Sequence, residues 1–328
     1  MKSIAPRTGA LGRRAFVAAT ALAAASAFAQ SAFPSRPLKI IVPAPPAGAA
    51  DTATRVIARH MEGTLGQAVV VENRPGASAT IGLQVLAKAP ADGYTLGLAS
   101  VAGTAIVSLT NPNVPDLRKD LVPIAGVVNA PHVLAVPAQL PARNAQELVA
   151  LFKKEPGKHN FASQGDGSLS HLESELFRSL NSVELQHIPY TGSSLALPGL
   201  ISGTTSMMFD SAASVAPQVQ AGKLRVLGTS ASERVRQFPD APTMVELGMP
   251  NFRADNPFGF YAPAGTPPAV AKTLTDAVAA ALAAPETVQA LQKAGLEPRF
   301  SAPAEFQKTV AGDYDLWQGV ARTATKGK

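Results

Sequence analysis

The 328 residues contain no cysteine. That excludes disulfide frameworks, thiolate metal sites and a cysteine nucleophile, and it leaves the redox compartment open, since exported bacterial proteins also dispense with cysteine. Charge is sparse as well. Charged residues make up 16% of the chain, against roughly 25% in ordinary globular proteins, while 46% are hydrophobic. This balance excludes a disordered, highly charged chain. Aromatics reach only 5%, and no Lys/Arg stripe accompanies them, so nothing points to nucleic acid. Long apolar runs are missing too: the longest, near the N-terminus, is about 15 residues, short of the roughly 20 that span a bilayer. What is plentiful is Pro (28) and Gly (26). They follow no fixed period and read as punctuation between short elements. The length allows two ordinary domains with a sizeable core.

Residues 1–29 carry the parts of a secretory signal. A basic region ends at Arg13-Arg14, an Ala-rich stretch follows, and Ala27-Phe28-Ala29 supplies a small-x-small cleavage pattern. The expectation is export with cleavage after Ala29 and a periplasmic mature protein. Gly12-Arg13-Arg14-Ala15-Phe16-Val17 also resembles a twin-arginine signal, so the choice between Sec and Tat stays open. Lys2, Arg7, Arg13 and Arg14 account for most of the formal charge of +6; without them, 25 basic residues face 23 acidic ones.

From Gln30 onward, short β-branched runs alternate with amphipathic stretches. Strands are expected at 38–42, 69–71, 94–98, 159–163, 184–188 and 205–209, and helices at 80–88, 145–155 and 168–180. A first helix should bury Ala53, Val56, Ile57, His60, Met61 and Thr64 on one face. From Pro267 the chain reads as helical almost throughout, with Pro285 and Pro303 at helix starts. This alternation predicts an α/β fold with parallel sheets and helices on both faces. His132–Val136 and Phe258–Tyr261 are candidates to carry the chain between two lobes. The expected division is 30–131 with 258–328 as domain 1 and 132–257 as domain 2, joined by hinge strands around a ligand cleft.

Enzyme signatures are missing: no G-x-S-x-G elbow, complete Walker A or H-E-x-x-H occurs. The five histidines (His60, His132, His159, His171, His187) show no close ligand spacing, so no metal and no cofactor are expected. The stronger signals are strand–helix junctions. In Pro43-Ala44-Pro45-Pro46-Ala47-Gly48-Ala49-Ala50-Asp51 the prolines stiffen the loop, while Ala47 and Gly48 let a ligand approach the backbone at a helix start. Asp51 either caps that helix or faces the site. Ser163-Gln164-Gly165-Asp166-Gly167-Ser168 repeats the device, and Gly165, Gly167 and Ser168 can present amides and a hydroxyl to a carboxylate. Alternatively, Ser168 caps the next helix and Asp166 sits in a turn. Tyr190-Thr191-Gly192 forms a third junction, where Tyr190 can stack and Thr191 can hydrogen-bond. Asp210 ends a strand, either facing the cleft or capping the following helix.

These segments together resemble the Bug receptors, the extracytoplasmic solute-binding proteins of tripartite tricarboxylate transporters. The resemblance runs from Pro34-Ser35-Arg36-Pro37 to Trp317. It includes Ile40-Ile41-Val42-Pro43, Val69-Val70-Val71-Glu72-Asn73-Arg74-Pro75-Gly76-Ala77, Ala91-Asp92-Gly93-Tyr94-Thr95-Leu96, Ser170-His171-Leu172, Pro189-Tyr190-Thr191-Gly192, Ala221-Gly222-Lys223-Leu224-Arg225 and Ala262-Pro263-Ala264-Gly265-Thr266-Pro267. It implies a two-lobed type II periplasmic binding protein that closes on a small organic anion, a carboxylate, and delivers it as a monomer to integral-membrane permease subunits. By position, it implicates 44–51, Ser100 to Thr104, Ser163 to Ser168, Tyr190 to Gly192, and Asp210. The first loop departs from the family's Phe-Pro-Pro-Gly-Gly pattern at Ala44 and Ala47, and Ala50 lacks a hydroxyl. Asp166 places an acid where many relatives are neutral. Two other readings remain: a receptor of the same fold that serves sensing, and an exported serine hydrolase using Ser168 or Ser170 with His171.

Overall fold

A computed structural model describes residues 33–109, 111–250 and 252–325. The leader lies outside these residues, and among them no helix is long and apolar enough to cross a membrane. The protein has two lobes, each built on one sheet. The six-stranded sheet has the order β11-β4-β10-β3-β1-β2 and the five-stranded sheet β7-β6-β8-β5-β9. Along the chain, β1 (Leu38–Val42), α1 (Ala49–Leu65), β2 (Val69–Asn73), α2 (Thr80–Ala87), β3 (Thr95–Ser100), α3 (Val101–Ser108) and β4 (Leu121–Asn129) come first. Next come β5 (His132–Pro137), α4 (Ala145–Lys154), β6 (His159–Ser163), α5 (Leu169–Asn181), β7 (Leu185–Pro189), α6 (Ser193–Ser202), β8 (Met207–Ser211), α7 (Ala212–Gln220) and β9 (Leu224–Thr229). The chain then returns to the first sheet through β10 (Pro257–Pro263), α8 (Pro268–Ala283), α9 (Pro285–Lys293), β11 (Glu297–Ser301) and α10 (Pro303–Thr325).

The sheets are mixed, which corrects the expectation of parallel sheets. β1 runs parallel to β2 and β3, with Ile40 opposite both Val71 and Leu96. β10 runs antiparallel between β3 and β4, and β11 pairs antiparallel with β4. In the second sheet β6 is parallel to β7 and β8, while β5 is antiparallel to β8 and β9. The strands that enter each sheet from the other lobe, β5 and β10, bring the opposite direction. Neither spans both sheets. The chain changes sheet in the short connection Ala130-Pro131 and again between β9 and β10.

Each sheet is covered on two faces. β5 shows the period-2 pattern that does this: Leu134 and Val136 join Phe152, Phe161, Phe177 and Phe209 on one face, and Val133 and Ala135 join Leu200 and Met208 on the other. A fully buried Leu or Phe side chain of this kind contributes about 2 kcal/mol. In the first lobe, Ile40, Ile57, Met61, Leu96 and Leu274 form one core. Tyr261, Phe306, Tyr314 and Trp317 pack on the opposite face with Leu83 and Val101. α1 buries Ala50, Ala53, Thr54, Ile57, Ala58 and Met61. The buried stripe is therefore rotated from the expected one, and Thr64 is exposed.

Candidate functional site

The parallel strands of both sheets end on loops that lead into helices, the position where open α/β sheets hold ligands. The two sets of strand ends meet through α5, which contacts both α3 and α10. Leu169, the first residue of α5, is buried in the same apolar cluster as Val101 and Ala102 at the start of α3. The N-terminal ends of helices from both lobes are thereby brought into one region.

In the first lobe, Gly48 holds the cap position of α1 with no side-chain cap. Asp51 is not the cap. It lies one turn inside, 4% exposed, and its carboxylate reaches back to accept the Ala47 N–H at 2.9 Å. It also accepts from Asn73 Nδ2 at 2.9 Å and from Arg55 Nε at 3.0 Å. Arg55 donates onward to Asn73 Oδ1, and Asn73 donates to the Ala44 carbonyl. Burial raises the Asp51 pKa, but the hydrogen bonds from Arg55, Ala47 and Asn73 outweigh it and leave the pKa lowered. This network holds Ala47, with φ of 65°, in the left-handed region. Arg55, on α1, and Asn73, at the end of β2 beside β1 in the sheet, escaped sequence reasoning. So did the β2–α2 loop, where Ala77, Ser78 and Ala79 all have positive φ, a costly conformation of the kind found at ligand clamps. Gly82 fits α2 against this corner: a Cβ there would lie 2.7 Å from Pro43 Cα and from the Arg74 carbonyl.

Ser100 caps α3, accepting from Gly103 N–H at 3.0 Å, and donates to Asn256 Oδ1 at 2.7 Å. Asn256 in turn sits in the return crossing, where its carbonyl accepts from Ala130 N–H. Thr104 is buried and closes a helical turn on the Ser100 carbonyl. The hydroxyls of both residues are therefore engaged within the protein.

In the second lobe, Ser163 is fully buried and contacts Gly165 N–H, the Gly165 carbonyl and His187 Nε2. Gly165 and Gly167 have φ of 129° and 70°. The Gly167 N–H donates to His171 Nδ1. Ser168 caps α5 through the His171 N–H, and Asp166 is exposed on the intervening turn, its side chain 81% accessible. The loops cross-link: Tyr190 N–H donates to the Ser163 carbonyl, and Gly192 N–H, at the start of α6, to the Gln164 carbonyl. The Tyr190 ring is half-buried against the core of its own lobe, and a Cβ at Gly199 would come 2.5 Å from its hydroxyl. Thr191 is exposed between these junctions.

Asp210 is fully buried and does not cap α7, a job done by Ser211. Its Oδ1 accepts from Gln164 Nε2 at 2.7 Å, Ser193 Oγ at 2.8 Å and Ser211 N–H at 2.7 Å, so it ties both second-lobe loops to β8. Its Oδ2 has no protein partner. Burial raises its pKa against the opposing influence of His132 and the three donors. Ser170, the alternative nucleophile, is buried and donates to the Phe209 carbonyl at 2.5 Å. A cavity of about 640 Å³ lies elsewhere, along the β9 edge, lined by residues such as Arg143, Arg225 and Phe238.

The comparisons with known proteins agree with this architecture. Residues 53–323 match the model of the tripartite tricarboxylate transporter family receptor. The chain belongs to that family and is a receptor rather than an enzyme. It is 37% identical to Protein BugT of Bordetella pertussis over 292 residues, 88% of this chain and 90% of that one. Among solved structures it resembles malate-bound MatC from Rhodopseudomonas palustris, with a TM-score of 0.80 and 30% identity, over 88% of this chain and 99% of the other. It also resembles an adipate-bound R. palustris protein, with a TM-score of 0.82 and 29% identity, over 89% and 98% of the two chains.

Proposed function

We propose that this receptor captures a small organic carboxylate in the periplasm, between lobes formed by 30–131 with 258–328 and by 132–257, and hands it to integral-membrane permease subunits. The observation that carries the reading is the meeting of the N-terminal ends of α3 and α5, one helix from each lobe, in a single apolar cluster. Such ends favour an anion through their unpaired N–H groups and the helix dipole. The malate and adipate held by similar proteins fit that chemistry. Within this reading Gly48, Ser100, Ser168 and Gly192 open the helices that face the ligand. Asp51 and Asp210 act from behind, fixing loop shape. Asp166 disfavours a second carboxylate near the second-lobe loop.

A thermal-shift screen of the mature chain, refolded to remove carried-over ligand, tests the reading. Mono-, di- and tricarboxylates are each paired with their amides. A carboxylate at about 100 times its dissociation constant adds roughly 2.7 kcal/mol and raises the melting temperature by about 5 °C; its amide should not. Silence across the acids, with responses to amines or neutral compounds, would overturn it.

A further inference from the structure

His171, on the first turn of α5, and His187, on the edge strand β7, lie face to face, with ring centroids 4.0 Å apart and planes inclined by 9°. Phe161 of β6 flanks both rings, its centroid 4.8 Å from that of His187 and 6.1 Å from that of His171. Both rings are wired to the loop between β6 and α5. His171 Nδ1 accepts the Gly167 N–H at 3.0 Å. His187 Nε2 lies 2.7 Å from Ser163 Oγ, and its Nδ1 lies 3.5 Å from the Asp166 carboxylate. An amide N–H can only donate, so His171 Nδ1 is bare and the neutral ring carries its proton on Nε2, 3.9 Å from Glu175.

The two rings answer a proton differently. His187 can accept one without losing a hydrogen bond, because the Ser163 hydroxyl can turn to donate to the Gly165 carbonyl, 3.2 Å away, and accept from the ring. His171 cannot. A proton on Nδ1 sets two donors against each other and expels the Gly167 N–H. Asp166 from the loop and Glu175 from α5 face the pair, the latter already paired with Arg178 at 2.6 Å. Burial and the His171 charge lower the His187 pKa against these two carboxylates.

A metal ion suits the cluster poorly, although Asp166, His171 and His187 offer ligand atoms within 4.8 Å of one another. Metal on His171 Nε2 would leave no N–H to donate at Nδ1, where a ligating imidazole ordinarily donates one. Parallel rings also aim their lone pairs side by side instead of toward one point.

We propose that the His171–His187 stack is a proton-linked latch on the second-lobe loop. Neutral, it occupies the Gly167 amide. On taking a proton at His171 it releases that amide, together with a positive charge, to a ligand carboxylate, so that anion capture is accompanied by proton uptake. The ligand half of this statement rests on the carboxylate reading above, whereas the latch is testable without any ligand.

The test is an NMR titration of the ligand-free protein from about pH 8 to about pH 5, spanning the histidine range, following both rings and the Gly167 amide. The Gly167 amide should move with the midpoint of His171, and the rings should titrate in separate steps. His171→Asn removes the stacked charge and should raise the His187 midpoint by about one pH unit. A Gly167 amide that ignores His171, or a His187 midpoint unmoved by His171→Asn, overturns the proposal. One equivalent of zinc should leave both rings unshifted; a shift of both would overturn it in favour of a metal site. Calorimetry with malate in two buffers of different ionisation heat reads the coupling: proton uptake supports the proposal, and binding without uptake overturns it. No malate heat beside an intact titration counts against the carboxylate reading and leaves the latch standing.

Discussion

The two lobes build their strand-end loops from similar material and fasten them by different means. In the first lobe the fastener is ionic: Asp51 uses both oxygens, on Ala47 N–H, Asn73 and the permanently charged Arg55. In the second it is made of hydroxyls, a carboxamide, the neutral His171 ring and Asp210, whose Oδ2 is idle. A guanidinium does not titrate in the physiological range, whereas an imidazole does. The first loop is therefore a fixed jaw, while the second can respond to pH.

The sharpest way to break this comparison is to remove each carboxylate. Asp51→Ala leaves Arg55, Asn73 and the Ala47 N–H without their acceptor and should cost about 3 kcal/mol, read as a lower urea midpoint. Asp210→Asn keeps one oxygen for its three donors and should cost about 1 kcal/mol or less. Equal losses would mean that the idle Oδ2 is engaged by a group not seen here, such as bound water.

A second contrast concerns close approach. Gly82→Ala drives a methyl into the Pro43 and Arg74 backbone, which cannot turn aside, and should destabilise by about 2 kcal/mol. Gly199→Ala meets the end of the Tyr190 side chain, which can rotate, and should cost about 1 kcal/mol. Thermal melts of the two variants rank them directly.

The smallest effect is one of sign. The Asp51 pKa is lowered in the fold, so its stabilisation is complete above the unfolded value and fades as pH falls through the folded one. The Asp210 pKa is raised, so stability declines as pH rises from the unfolded value through the folded one. Urea midpoints from about pH 3 to about pH 6 should therefore show opposite changes of slope in Asp51→Asn and Asp210→Asn, each on the order of 1 kcal/mol. Slopes that change in the same direction would sink the distinction.

Much of this was legible in the chain. The strand at 159–163 matches β6 at both ends, and Pro285 and Pro303 open α9 and α10 as their fixed φ allows. The helical reading of the tail missed β11, whose Glu-Pro-Arg-Phe-Ser sequence lacks an apolar alternation because it is an edge strand with Phe300 exposed. The loops at 43–51 and 163–168 were visible from their Pro, Gly and Ser content. The job of each side chain was not, because Asp51 and Asp210 have partners such as Asn73 and Gln164 that only packing brings near.

The amino-acid sequence alone was enough for many of the strands and helices, the position of the loops at 43–51 and 163–168 and the family resemblance, since these follow from local periodicity, turn chemistry and a long series of matching segments. Tertiary structure decided the strand directions and the meeting of α3 with α5. It also stacked His171 on His187, because each of these depends on which distant surfaces bury one another, and that pairing has no local signature in the chain.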